Sequence, residues 1–125
     1  MKSLKCVIID DSKFMRSMLR KMIEENKHFT VAGEGDNGHQ AIAQAEKHKP
    51  HVMTLDITMP DMDGIEAVGQ VLKVSPHTRI IMISAMGQEK KVIEAIKHGA
   101  VDFIIKPFDK KRVMDSMLNA VSGLS

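Results

Sequence analysis

One cysteine, no tryptophan, no tyrosine and four phenylalanines in 125 residues exclude several function classes before any motif is read. With Cys6 alone, no internal disulfide can form. Cys6 lies inside an apolar run, where a buried, inert thiol is expected rather than a reactive one. So few aromatics leave little to stack on bases or on a flavin ring. No apolar run approaches the ~18 residues that a membrane-spanning helix needs. The opening Met-Lys-Ser-Leu-Lys runs straight into a strand pattern and leaves no room for a signal peptide, so a cytoplasmic protein is expected. Neither sign of charge dominates: 18 Lys and Arg against 16 Asp and Glu give +2, with no basic arm to argue for a nucleic-acid or membrane partner.

The composition, 43% hydrophobic and 27% charged, is that of an ordinary globular chain, and 125 residues is one domain's worth, expected to span 1–125. Eleven methionines admit two readings, flexible core filler or a Met-lined binding surface.

Short apolar runs and amphipathic stretches alternate strictly. Strands are expected over 5–10, 29–33, 51–55, 79–83 and 101–105, where β-branched residues cluster. Ser12 can cap a first helix, in which Phe14, Met18, Met22 and Met15, Leu19, Ile23 recur at fours as one apolar stripe, ending at Asn26–His28. Further helices are expected over 38–48 (Ala41, Ile42 and Ala45 inward), 64–74, 89–98 (Val92, Ile93 and Ile96 inward) and 109–121 (Val113, Met117, Leu118 and Val121 inward). Pro50, Ser75-Pro76 and Gly99 supply the stops. Five β-α units in this order predict an α/β domain, a doubly wound five-stranded parallel sheet with helices on both faces. The flavodoxin-like order 2-1-3-4-5 is adopted for it.

Sites in such sheets form beyond the carboxyl ends of the strands. Asp10 and Asp11 end the first run, Asp56 the third, Ser84 the fourth and Lys106 the fifth. The assumed order makes the first and third strands neighbours and brings the acid pair beside Asp56. Three clustered carboxylates repel one another and need a counter-charge. Oxygen-only ligands suit Mg²⁺ or Mn²⁺, and the absence of Cys and His from these loops argues against zinc. Lys106 offers a point charge for a phosphoryl group, Ser84 a neutral donor, and Asp56 a carboxylate nucleophile able to form an acyl phosphate. No Gly-rich phosphate loop follows the first strand, which disfavours a nucleotide enzyme. Taken singly, each of these residues also has a bland reading, the acids as helix caps and Lys106 as a solvated surface lysine.

The set Asp10-Asp11, Asp56 with Met59-Pro60 and Asp63-Gly64, Ser84-Ala85, and Lys106-Pro107 resembles the receiver domains of two-component response regulators over essentially the whole chain. The stretches Leu55–Pro60, Ser84–Gln88 and Ala100–Phe108 are most similar to the family's stand-alone chemotaxis members. The resemblance implies that Asp56 accepts a phosphoryl group from a phosphohistidine of a sensor histidine kinase. It implies direct Mg²⁺ (or Mn²⁺) ligation by the Asp11 and Asp56 side chains and the Thr58 backbone carbonyl, with Asp10 acting largely through water. Lys106, followed by a cis peptide to Pro107, would bond a phosphoryl oxygen. Ser84 would swing to bond another while Phe103 turns inward, remodelling the surface of helix four, strand five and helix five. That face would bind the flagellar motor switch protein or another target.

The resemblance further implies a monomer, not a dedicated enzyme, that catalyses its own phosphorylation and dephosphorylation, with an auxiliary phosphatase as a possible further partner. Ser84 stands where threonine is commoner in the family, keeping the hydroxyl and losing a methyl. Thr58 and Met86 occupy positions that tune acyl-phosphate hydrolysis, and neither can guide a water as a longer polar side chain would. Two alternatives stay open: a phosphorelay intermediate that passes its phosphoryl group to a histidine phosphotransfer protein, and a small Mg²⁺-dependent phosphatase with an aspartyl nucleophile. Thr58 counts against the second, because such phosphatases usually place an acid there. Val92, Ile96, Ala100 and Phe103 either border the output surface or, for Val92 and Ile96, belong simply to the core.

Overall fold

The structure, a computed structural model, describes residues 3–122. Its elements run β1 (Leu4–Ile9), α1 (Lys13–Glu24), β2 (Phe29–Gly35), α2 (Gly38–His48), β3 (Val52–Asp56), α3 (Gly64–Val74), β4 (Arg79–Ser84), α4 (Glu89–Lys97), β5 (Asp102–Ile105) and α5 (Lys110–Ala120). All strand pairs are parallel, in the order β2-β1-β3-β4-β5. The expected α/β architecture and sheet order are therefore those of the molecule.

Burial on both faces explains why the strands read as continuous apolar runs rather than alternating ones. Successive residues point to opposite sides, so the core splits in two. Val7, Ile9, Met53, Leu55, Ile80 and Met82 face the layer that holds α2, α3 and α4. Cys6, Ile8, Val52, Ile81, Ile83 and Ile104 face α1 and α5. Cys6 is fully buried, and desolvation pushes its thiol up to about 12, which fits the inert reading. Met53, Met82 and Met117 are fully buried too, the role of filler in irregular gaps.

Local chemistry sets the helix ends. Ser12, Asn37, Asp63 and Asp109 cap α1, α2, α3 and α5, each side-chain oxygen accepting from a first-turn N–H. Gly99, at φ +124°, follows the last turn of α4 in a backbone conformation that a side chain resists. At Gly64 a Cβ would lie 2.7 Å from the Ile57 carbonyl oxygen and 2.8 Å from its Cα, so only glycine lets α3 start so close to the end of β3. On the outer edge of β5, Asp102 Oδ1 accepts the Phe103 N–H (2.7 Å) and Arg112 of α5 donates to the Phe103 carbonyl (2.5 Å). Ser116 donates to the other Asp102 oxygen at 2.7 Å, pinning α5 to this strand.

Several expectations need correction. β2 continues to Gly35 because Gly33, Glu34 and Gly35 pair with Val7, Ile8 and Ile9, pairing that outweighs their poor strand propensity. In α1 only Leu19 and Ile23 are buried, and Phe14 is 75% exposed. The 14-18-22 row lies one residue, about 100°, from the 15-19-23 row; the latter points at the sheet, and of the former Met22 still packs against that core while Phe14 turns out. In α4 the inward residues are Val92 and Ala95, while Ile93 (54%) and Ile96 (40%) face out. Val92 and Ala100 are core; Ile96 is not. In α5, Met114 and Ser116 are buried and Leu118 is 41% exposed.

Thr54, at the centre of β3, is fully buried, and its hydroxyl has no hydrogen-bond partner. Such a group carries its desolvation cost uncompensated. Thr54→Val, which keeps the branched shape, is expected to stabilise the protein by about 1 kcal/mol. Urea denaturation measures it; a loss of stability instead would show that the hydroxyl is bonded in solution.

Candidate functional site

Because all strands are parallel, their carboxyl ends share one edge. There the ligand oxygens of Asp10, Asp11 and Asp56 lie within 4.8 Å of one another. Asp10 directly follows β1 and is fully buried; its Oδ1 accepts from the Ser12 N–H at 2.9 Å, at the entry to α1. Its Oδ2 is buried with no hydrogen-bond partner, the nearest cation being Lys106 Nζ at 3.6 Å. Asp11 is exposed at the mouth of the cluster. Asp56 ends β3, 6% exposed, with Oδ1 accepting from the Thr58 N–H at 3.3 Å and Oδ2 3.9 Å from Lys106 Nζ.

Lys106 is aimed by the next strand over. Its N–H bonds to the Ser84 carbonyl (2.8 Å), continuing the β4–β5 ladder by one residue, and its peptide bond to Pro107 is cis. Ser84 ends β4 at 1% exposure. One ammonium thus faces two buried carboxylates. Burial, then the Asp10 charge, push the Asp56 carboxyl up to about 6, against the pull of Lys106 and the Thr58 N–H. Asp10 is raised as well, chiefly by burial, with the Ser12 N–H and Lys106 opposing.

The remaining candidates surround this cluster. Thr58 and Met86 (77% exposed) sit on the β3–α3 and β4–α4 loops. Phe103, 36% exposed on β5, faces out. Together with Ser84, Val92, Ile93 and Ile105 it lines an almost wholly apolar cavity of about 230 Å³ between β5 and α4.

Three supporting groups escaped the sequence reading. Arg16 of α1 donates to the Asp10 carbonyl at 2.7 Å and pairs with Glu34 at 3.3 Å. Asp61 reaches from the β3–α3 loop to accept the Gly38 (2.7 Å) and His39 (2.9 Å) N–H groups at the start of α2, and pairs with the His39 ring. Desolvation raises the Asp61 carboxyl, but those donors outweigh it and hold it at about 2. Gln88 spans two loops, donating to Thr58 Oγ1 (2.8 Å) and accepting from the Ala85 N–H (2.7 Å). Its one sequence signal is its position: glutamine is an unusual N-cap, and here it makes no cap bond.

Residues 6–118 match the sequence model of the response regulator receiver domain. The chain belongs to that family. Among similar proteins, the receiver is 49% identical over 116 residues to the chemotaxis protein CheY of Thermotoga maritima, covering 93% of this chain and 95% of that one. It is 45% identical over 117 residues to the CheY of Listeria monocytogenes, at 94% and 98% coverage. Among solved structures, a CheX-CheY-BeF3-Mg complex from Borrelia burgdorferi superposes with a TM-score of 0.86 at 32% identity, over 93% of the receiver and 87% of that chain. Among the receiver's described residues no helix is long and apolar enough to cross a membrane.

The raised Asp56 carboxyl fixes a sign. With its folded value near 6 and its ordinary value at 3.8, its contribution to stability is fully present below pH 3.8 and is lost as pH rises through 6. In Mg²⁺-free buffer at pH 8, Asp56→Asn is therefore expected to be more stable than the parent, by up to about 3 kcal/mol. The gain should vanish near pH 4. Denaturant midpoints across that range check it, and an equal or less stable variant at pH 8 would contradict the burial argument.

Proposed function

We propose that the chain is a stand-alone phospho-accepting regulator of a two-component system, a single receiver domain over 1–125 acting in the cytoplasm in chemotaxis. The supporting observation is the placing of Asp56: a buried carboxylate with an ammonium at 3.9 Å and two further acids clustered around it. The sensor histidine kinase supplies the phosphoryl group. A carboxylate oxygen of Asp56 attacks phosphorus, the P–N bond of the phosphohistidine breaks, and the bonding pair leaves with the imidazole nitrogen, which takes a proton. Lys106 Nζ compensates charge on one phosphoryl oxygen, and the Ser84 hydroxyl donates to another. Later, water attacks the same phosphorus, the P–O bond to Asp56 breaks with its electron pair returning to the carboxylate, and inorganic phosphate leaves with the proton, so the receiver takes part in its own resetting without being a dedicated enzyme. Thr58 and Met86 border that attack and set its pace, and a partner phosphatase can add to it.

The residues present fit a hard divalent ion. All the ligands are oxygens, the three acids carry a net charge that one lysine cannot balance, and Asp10 Oδ2 is a buried acceptor without a hydrogen bond. The Asp11 and Asp56 side chains and the Thr58 carbonyl would hold Mg²⁺ (or Mn²⁺), with Asp10 joined through water. When bound, the ion supplies positive charge to the phosphoryl oxygens. Intact mass after incubation with acetyl phosphate tests the assignment. An adduct of one phosphoryl group that needs Mg²⁺ and is absent from Asp56→Asn is expected; an adduct that persists in Asp56→Asn would overturn it.

The output face is the surface of α4, β5 and α5, where Ile93, Ile96, Val101, Phe103, Ile105 and Leu118 expose apolar area. Phosphorylation draws Ser84 toward Asp56 and lets the Phe103 ring turn into the cavity that both residues line, so the new dianion biases a two-state surface. A chemotaxis target, the flagellar motor switch protein, is supported by the likeness to CheY proteins at 45% to 49% identity. Phe103→Ala is expected to leave adduct formation intact while removing most of the phosphorylation-dependent gain in target affinity. Calorimetric titration of a motor-switch peptide, with and without phosphodonor, measures that gain; full retention would exclude the ring from the switch.

A further inference from the structure

The ladder between β3 and β4 ends in an unusual way. Arg79 N–H bonds to the His51 carbonyl and Ile57 N–H to the Ile83 carbonyl. By the parity of a parallel ladder, the next β4 donor toward β3 is the Ala85 N–H, and its acceptor would be the Ile57 carbonyl. That carbonyl accepts from Gly64 N–H instead, at 3.2 Å. The Ala85 N–H is taken by Gln88 Oε1 at 2.7 Å. It is therefore a backbone donor directed at β3, one residue beyond Ser84 and just past Asp56, held by a side chain rather than by the sheet.

The other end of the same amide is anchored. Gln88 Nε2 donates to Thr58 Oγ1 at 2.8 Å, and the Thr58 N–H donates to Asp56 Oδ1. Gln88 also stands at the N-cap of α4 without capping it, so the side chain is committed to the two loops. Asp56, Thr58, Gln88 and Ala85 thus form one chain of contacts that runs from the acid cluster to the N-cap of α4 and the end of β4.

We propose that Gln88 is a positioning residue that latches the unphosphorylated state, competing with the incoming phosphoryl group for the Ala85 N–H. The inference rests on the reading of Asp56 as phosphoacceptor. Of the three phosphoryl oxygens on Asp56, those not taken by Lys106 face the end of β4, where the Ser84 hydroxyl and the Ala85 N–H stand. An anionic oxygen is the stronger acceptor and displaces the neutral amide oxygen. Release of Gln88 frees both the Thr58 hydroxyl and the N-terminus of α4, tying occupancy of the site to the helix that carries Ile93 and Ile96.

The latch predicts opposite signs for two substitutions at one position. Gln88→Ala leaves the Ala85 N–H without its side-chain acceptor, so the affinity for beryllofluoride with Mg²⁺, a phosphoryl mimic, should rise about 3- to 10-fold. Gln88→Glu places a carboxylate on the same N–H and beside the incoming anion, so affinity should fall at least 10-fold. Thr58→Val, which cuts the anchor, should reproduce part of the Ala effect and add little in the double variant. Fluoride titration followed by the amide NMR shift of Ala85 reads both the affinity and the donor in question. Equal affinities across the series, or a loss in both Gln88 variants with the Ala85 amide unmoved, would overturn the latch. Failure of the parent protein to take up beryllofluoride would overturn the phosphoacceptor reading, and the latch with it.

Discussion

Electrostatic imbalance governs this molecule: three carboxylates gathered within 4.8 Å are answered by one lysine at 3.6 and 3.9 Å from two of them. A fold does not keep such a cluster for stability, because desolvation and like charge both favour the neutral acids. The raised carboxyls of Asp10 and Asp56 are that tension made visible. Much of the surrounding architecture holds it in place. Ser12 and Thr58 N–H groups each satisfy one carboxylate oxygen, Arg16 grips the Asp10 carbonyl, and Gly64 lets α3 begin against Ile57. In the proposed cycle the imbalance is what makes the site receptive, because a divalent cation relieves it and a phosphoryl group then has a balanced place to arrive.

The two core layers give this tension something rigid to act against. Both faces of β1, β3 and β4 are buried, so the strand ends that carry Asp10, Asp56 and Ser84 cannot drift apart without disturbing packed side chains. The loops around them are joined to one another by polar side chains instead: Asp61 to the start of α2, Gln88 to Thr58 and Ala85. Fixed strand ends and exchangeable loop contacts are the combination a two-position surface needs.

Much of this was legible from residues alone, and the reason is geometric. Parallel strands buried on both faces leave long apolar runs, and a charged or hydroxyl residue ending such a run must emerge at the carboxyl edge. Asp10, Asp56, Ser84 and Lys106 are therefore placed at that edge by the sequence pattern alone. Helix rotation was less legible. The apolar residues of α1 and α4 fill more than one face, and only neighbouring elements decide whether Phe14 or Met15, Ile93 or Ala95, turns inward. Least visible were Arg16, Asp61 and Gln88. Their value lies in contacts across 6 to 30 positions of chain, and nothing in a local pattern marks an arginine, an aspartate or a glutamine as bound for another loop.

The backbone of Phe103 has both its outward-facing groups engaged, the N–H by Asp102 and the carbonyl by Arg112. At that residue the open edge of the sheet has no main-chain group to offer, so a visiting segment cannot extend the sheet there and must bind through side chains. The same two bonds hold the residue like an axle. The ring can swing about its own side-chain bonds while the strand beneath it stays in register, so a change at the surface need not disturb the core.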